Sequence, residues 1–471
     1  MRKLLWVFLC LIAVPAAAQD ANGWQMLART DAQAALALIA EHHPGAAPEL
    51  GDKEFQSRLA QARAHVAERL PRVESYGGYA ALMQGLATDF RDGHIWSNAT
   101  DIGWVRRRWA GLAIVRRGGQ WVVGAQQAAD GEPALEGARL LSCDGHDADG
   151  WARGRIGRFG GNPAIEADMA RRAPTLLLDD GNPFIERPGT CVFATATGEV
   201  TLTLKWRAIA QAQLQPVMVS ALRPAQAGMG VSAFTGGYWI ALQTMNASAA
   251  DVVEAVRAQR DALRAAAMVV IDLRGNGGGN SAYGSEIAEL LAGKARIAAA
   301  GSSVPACSGA FWRASPDNLQ TLELLTARDT SWAAVKDDME KALAEKRGFA
   351  PALPACARNT AAAVQKPPVR LPASAMRGRL VVLTDRACFS SCLIFTNLLR
   401  RMGALHVGEA TDMATRYMEV REITLPSGLR TFSTLQKVAV GLGDFGPYVP
   451  ERIYPGAMDE TDAIKAWVAG L

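Results

Sequence analysis

The sequence predicts an α/β protein that carries a β-rich module and a helical N-terminal region, and three observations support this. From about residue 218, apolar runs of strand length alternate with amphipathic stretches at helical spacing, the pattern of strands covered by helices on both faces. Between residues 108 and 207, short β-like runs are joined by turn signals. Between residues 30 and 90, alanine-rich segments carry apolar stripes at helical spacing. A chain of 471 residues is too long for one core, so we divide it into a helical region 19–107, a β-rich module 108–207 and an α/β unit 208–471. The last contains a helical excursion, about 301–376, expected to act as a cap.

Residues 1–18 are read separately. Arg2 and Lys3 precede an apolar run, and Ala16, Ala17 and Ala18 form a small-residue cleavage site, so the stretch is a secretory signal peptide. The formal net charge of +4 falls by two when it is removed, which predicts neither a nucleic-acid nor a membrane-surface partner. No later run has the apolar length of a membrane span. Export implies an oxidising compartment, periplasmic or extracellular, where the six remaining cysteines are expected to pair. The sequential pairing, Cys143–Cys191, Cys307–Cys356 and Cys388–Cys392, keeps each bridge within one segment. No metal-ligand spacing occurs, and neither a metal nor a cofactor is expected.

In the helical region, stripes such as Phe55, Leu59, Val66 and Leu70 end at proline, and a third helix runs over about 79–90 into Arg91-Asp92-Gly93-His94, read as a turn. In the module, Arg116-Arg117-Gly118-Gly119 is a hairpin signal. Residues 151–189 look like an insertion closed by the Cys143–Cys191 bridge. The module contains no cluster of catalytic groups, and its expected job is structural or peptide-binding.

The chemistry falls on two strand–turn–helix units. The buried strand about 268–273 runs into Arg274-Gly-Asn-Gly-Gly-Gly-Asn280, whose glycines free φ and let N–H groups approach a ligand oxygen. The third glycine of a dinucleotide loop and the lysine of a phosphate loop are both missing, so an oxyanion-binding loop fits better. The second unit is a strand over 380–384, a turn with Ser390 and Ser391 between Cys388 and Cys392, and a helix stopped by Gly403. A serine at that helix start is either an ordinary N-cap or a nucleophile on a strained turn beside orphan N–H groups.

Asp272-Leu-Arg-Gly-Asn-Gly-Gly-Gly279, together with a strand–Ser–helix unit ending in a glycine and Glu409, resembles the C-terminal processing (tail-specific) serine peptidases and their tricorn-core relatives. The resemblance implies a crotonase-like β/α spiral catalytic domain, and it makes the stretch 111–145 similar to the family's PDZ-like domain. It places the nucleophile at Ser390, an oxyanion-hole N–H at Ser391, and the other donors on Gly277, Gly278 and Gly279. The processing branch uses a lysine shortly after the Gly-Glu pair, but residues 410–416 contain none. The tricorn-like branch instead uses a histidine placed like His94, which a neutral imidazole suits as general base. That branch's orienting carboxylate falls near Gly443, with Asp444 the nearest acidic residue. The implied function is that of a secreted serine endopeptidase acting on polypeptides. The alternatives are a non-catalytic protein binding a peptide or apolar ligand on the same fold, and an acyl-CoA-type enzyme, which export disfavours. The oligomeric state is not readable from the sequence.

Overall fold

A computed structural model describes residues 20–225, 228–301, 308–354, 370–442 and 445–471. Residues 1–18, expected to be a signal peptide, and Cys307, Cys356 and Asp444 lie outside these residues. The architecture is mixed α/β, and no helix among the described residues is long and apolar enough to cross a membrane.

The six-stranded central sheet is built from Gly230–Phe234, Gly237–Ala241, Met268–Asp272, Arg379–Thr384, Leu405–Gly408 and Arg452–Ile453, in that spatial order. All neighbours are parallel except the first hairpin. Alternation along each strand feeds two cores. Val269, Ile271 and Val382 pack under Ile287 and Leu399 of the helices Ser281–Ala292 and Ser391–Arg401. Val270, Val381 and Leu383 pack beneath Ile464 and Val468 of the terminal helix Thr461–Ala469. Burying such a side chain contributes about 1.5–3 kcal/mol, so the continuous apolar runs have a physical cause in the two covered faces.

A second, antiparallel sheet joins distant parts of the chain. The long strand Arg430–Val440 pairs along one edge with Tyr417–Thr424 and along the other with Ser97–Ala99 at its start and Gly309–Arg313 at its end. The 301–376 excursion therefore contributes two strands to this sheet, Gly309–Arg313 and Phe349–Ala350, as well as the helices Pro316–Arg328 and Ala333–Ala344. The helices Ala21–His42, Lys53–Arg69 and Tyr76–Thr88 share a core with Phe432, Leu435 and Val438 of the long strand. This stitching fixes the segment carrying His94: Ser433 Oγ donates to the His94 carbonyl at 2.8 Å and accepts the Trp96 N–H at 2.8 Å.

The third sheet is antiparallel, in the order Leu112–Arg117, Gln120–Gln126, Arg139–Cys143, Thr190–Thr195, Gly198–Thr203. The Cys143–Cys191 bridge ties two of its neighbouring strands. The insertion between them folds into the helices Ala148–Phe159 and Glu166–Arg172.

Candidate active site

Strands Met268–Asp272 and Arg379–Thr384 run side by side and in register, Asp272 opposite Leu383, so their C-terminal ends deliver the glycine loop and the serine turn to one place. Crevices outside such strand ends are where open α/β sheets bind ligands. Asp385, buried, links the two: its carboxylate accepts the Gly275 N–H at 3.0 Å and the Ala387 N–H at 3.0 Å. Burial, with Glu409 and Asp272 nearby, pushes its pKa up to about 6 against the pull of those N–H groups. Phe389 N–H donates to the Asn276 carbonyl at 3.2 Å, and Ser391 Oγ donates to the Gly279 carbonyl at 2.5 Å. Asp272 and Arg274 form a fully buried pair at 2.6 Å, with Arg274 reaching the Met458 carbonyl at 2.6 Å. Those two motif residues hold the loop's base against the terminal helix segment and stand outside the chemistry.

Ser390 has φ 55° and ψ −123° and precedes the helix Ser391–Arg401 without making a side-chain cap hydrogen bond. Of the two sequence readings, the ordinary N-cap is therefore set aside. A non-glycine residue in that conformation costs about 1–3 kcal/mol and is held only where its surroundings enforce it. Here Gly278 presses on it: a Cβ at Gly278 would lie 2.8 Å from Ser390 Cβ and 2.9 Å from the Ser391 nitrogen, at a φ of +100°. The Cys388–Cys392 bridge closes around the same turn.

The glycines divide their labour. The N–H of Gly278 donates to Asn276 Oδ1 at 2.8 Å, so it is spent on the loop and departs from the expectation of an oxyanion donor. Gly277 and Gly279 are exposed, and their N–H groups, like that of Ser391, have no acceptor among the described residues. Those three N–H groups are the donors open to an oxyanion.

His94 is buried and comes to this turn from the far end of the sequence. Its ring stacks at 4.4 Å and 33° on Phe389, the residue before Ser390. A Cβ at Gly93 would meet the Phe389 ring at 2.8 Å, which is why a glycine precedes the histidine. Asp92 Oδ1 lies 3.2 Å from His94 Nδ1 and accepts the His94 N–H at 2.8 Å, while Oδ2 accepts the Thr415 hydroxyl at 2.5 Å. Burial alone would raise the Asp92 pKa, but the hydrogen bond and charge of His94, with Thr415, hold it below the ordinary carboxylate value. A carboxylate on Nδ1 fixes that nitrogen as the N–H and leaves Nε2 basic.

Asp444 lies outside the described residues, and Glu409, Asp412 and Glu451 are engaged elsewhere. Glu409 pairs with Arg386 at 2.7 Å, Asp412 pairs with Arg171 at 2.6 Å, and Glu451 accepts the His406 N–H at 3.4 Å. The carboxylate found on the His94 ring is Asp92, two residues from it in sequence. The signal was the Asp92-Gly93-His94 triplet itself, read as a turn. His42, His43 and His406 are buried structural residues; the ring of His43, for example, stacks on Phe55 at 4.1 Å. No group of three metal-ligating side chains occurs among the described residues.

A strained serine at a helix start, open N–H groups beside it and a histidine in contact with a carboxylate are the kinds of group that nucleophilic acyl-transfer chemistry uses. Residues 237–439 match peptidase family S41, so the chain carries an S41 domain and with it the serine-peptidase class. Among solved structures the chain is similar to mature CPAF, at 13% identity over 95% of this chain and 97% of that one, with a TM-score of 0.61. It is likewise similar to mature CPAF complexed with lactacystin, at 14% identity over 94% and 98% of the two chains, with a TM-score of 0.60. At such identities the likeness is one of fold. No curated protein matches the chain.

Proposed function

We propose that this protein is an exported serine endopeptidase that hydrolyses polypeptides through Ser390 and His94, with Asp92 orienting the histidine. The observation that carries the reading is the convergence of the strained Ser390, the glycine loop pressed against it and the Asp92–His94 pair stacked on Phe389. The signal sequence at 1–18 supports export to the periplasm or the extracellular space. The absence of a lysine in 410–416 supports a histidine-dependent, tricorn-like variant.

In the proposed reaction His94 Nε2 takes the Ser390 proton as Oγ attacks the peptide carbonyl. The tetrahedral oxyanion is received by the Ser391 N–H together with Gly277 or Gly279, each donor worth roughly 10²–10³ in rate. The imidazolium, stabilised by Asp92, returns the proton to the departing amine, and water then hydrolyses the acyl-enzyme by the same route. A fluorophosphonate probe tests this directly. Labelling on Ser390, lost in Ser390→Ala and strongly slowed in His94→Ala, is the expected result. An unlabelled protein that still binds peptides would establish the non-catalytic alternative instead.

A further inference from the structure

A cavity of about 250 Å³ opens beside the candidate catalytic turn. Asp92, Gly93 and Phe389 form its inner wall, and the insertion of the β-rich module, with Asp168, Arg171 and Arg172, forms its outer one. Phe389, the neighbour of Ser390, and Asp92, the partner of His94, both line this space, so it adjoins the proposed catalytic turn.

The polar groups in the cavity are not evenly satisfied. Every carboxylate there is occupied. Asp92 takes the His94 and Thr415 bonds. Asp168 takes the Asn162 N–H at 2.5 Å and Arg171 at 2.6 Å, and Asp412 takes Arg171 at 2.6 Å and the Met413 N–H at 2.8 Å. Arg171, held between two aspartates, is neutralised. The other cations are under-used. The Arg172 guanidinium has no hydrogen bond: its buried Nε lies 3.9 Å from Asp168. Arg91 spends only Nη1, on the Gly161 carbonyl at 2.7 Å. Among the charged side chains of the cavity, the free capacity is thus donor and cationic, and a charge-assisted bond to it is stronger than a neutral one.

The geometry points to a subsite for a substrate carboxylate, received by Arg172 with Arg91, which makes peptides carrying an acidic group near the scissile bond the preferred substrates. This rests on the peptidase reading above. Arg171 and its two aspartates act as the rigid frame that keeps Arg172 facing the cavity.

Equilibrium binding to the Ser390→Ala protein separates the two claims, because it needs no turnover. A set of short labelled peptides, each with one Glu at a different position in a neutral background, is compared with its Gln and Lys counterparts and with C-terminally amidated versions. One Glu position, or the free C-terminal carboxylate, is expected to strengthen binding about tenfold, the worth of one charged hydrogen bond. Loss of the gain on Glu→Gln identifies the source as a side chain, and loss on amidation as the chain terminus. Arg172→Gln should abolish the gain and Arg172→Glu should transfer it to Lys; Arg172 is half-exposed, so neither change threatens the fold. No carboxylate preference, or one that survives Arg172→Gln, overturns the subsite. Hydrolysis surviving in Ser390→Ala would instead overturn the nucleophile assignment.

Discussion

Asp92 and His94 are two residues apart, yet one is an acceptor and the other a base because the turn points both side chains the same way. Asp92→Asn keeps the size and removes the charge, so Nδ1 of His94 faces an amide and the imidazole tautomer is no longer fixed. We expect kcat/KM to fall by roughly 10²–10⁴ with the thermal midpoint little changed, as for other orienting carboxylates. Unaltered kinetics would remove Asp92 from the reaction and return attention to the segment around residue 444. At this scale the sequence was partly legible. Ser390 could be chosen because its neighbours spell a recognisable motif in one contiguous stretch. The partner of His94 was missed because a carboxylate two residues away reads as turn chemistry unless the ring's orientation is known. The spent N–H of Gly278 was equally hidden, since only the side-chain rotamer of Asn276 decides it.

At the scale of the element, the two described disulfides serve different ends. Cys143–Cys191 closes 48 residues, and chain entropy alone gives it about 4 kcal/mol; Cys388–Cys392 spans four and is worth about 2 kcal/mol. The short bridge, however, encloses the strained Ser390. Replacing Cys388 and Cys392 by alanine should therefore lower kcat by about tenfold or more for a modest fall in melting temperature, since small misplacements of a nucleophile are costly. Replacing Cys143 and Cys191 should do the reverse, lowering the melting temperature more while leaving kcat near its wild-type value. If both pairs affected only stability, the bridge would have no part in positioning the turn. Gly278→Ala probes the same turn from the other side: a methyl group 2.8 Å from Ser390 Cβ, at a positive φ, has to displace one loop or the other. Activity should drop by at least an order of magnitude, read in the same assay. The strand–turn–helix units themselves were legible in the sequence, as apolar blocks followed by helical periodicity. The insertion 151–189 was not. Its glycines and charges suggested only an insertion closed by a disulfide, whereas its second helix, Glu166–Arg172, and the turn before it carry residues that wall the cavity beside Phe389.

Over the whole molecule, the pairing of Ser97–Ala99 with the long strand Arg430–Val440 is what makes a site out of segments almost 300 residues apart, and no local pattern announces it. The same compaction buries ionisable groups whose titration should govern stability. His43 and His406 are held neutral, foremost by burial, with pKa values lowered to about 3 and about 4. An unfolded histidine binds its proton near pH 6.5, so between about pH 4 and 6.5 the unfolded chain takes up protons that these two refuse. Their stabilisation is complete above pH 6.5 and is lost as the pH falls. Asp385 acts in the opposite sense. Its pKa of about 6 means the folded protein holds a proton that the unfolded chain releases near 3.8, so its contribution is present in acid and disappears as the pH rises through 6. Each group alters the slope by about 1.4 kcal/mol per pH unit within its window. Thermal unfolding at a series of pH values isolates them. Relative to the wild type, His406→Gln should flatten the rise of the melting temperature between pH 4 and 6.5, and Asp385→Asn should steepen it. The Asp385 variant should also lose activity, because its carboxylate is the clasp between the glycine loop and the serine turn. Parallel pH profiles for all three proteins would mean that these groups titrate alike in the folded and unfolded chains, and that the burial imposed by the stitched sheets leaves their protons undisturbed.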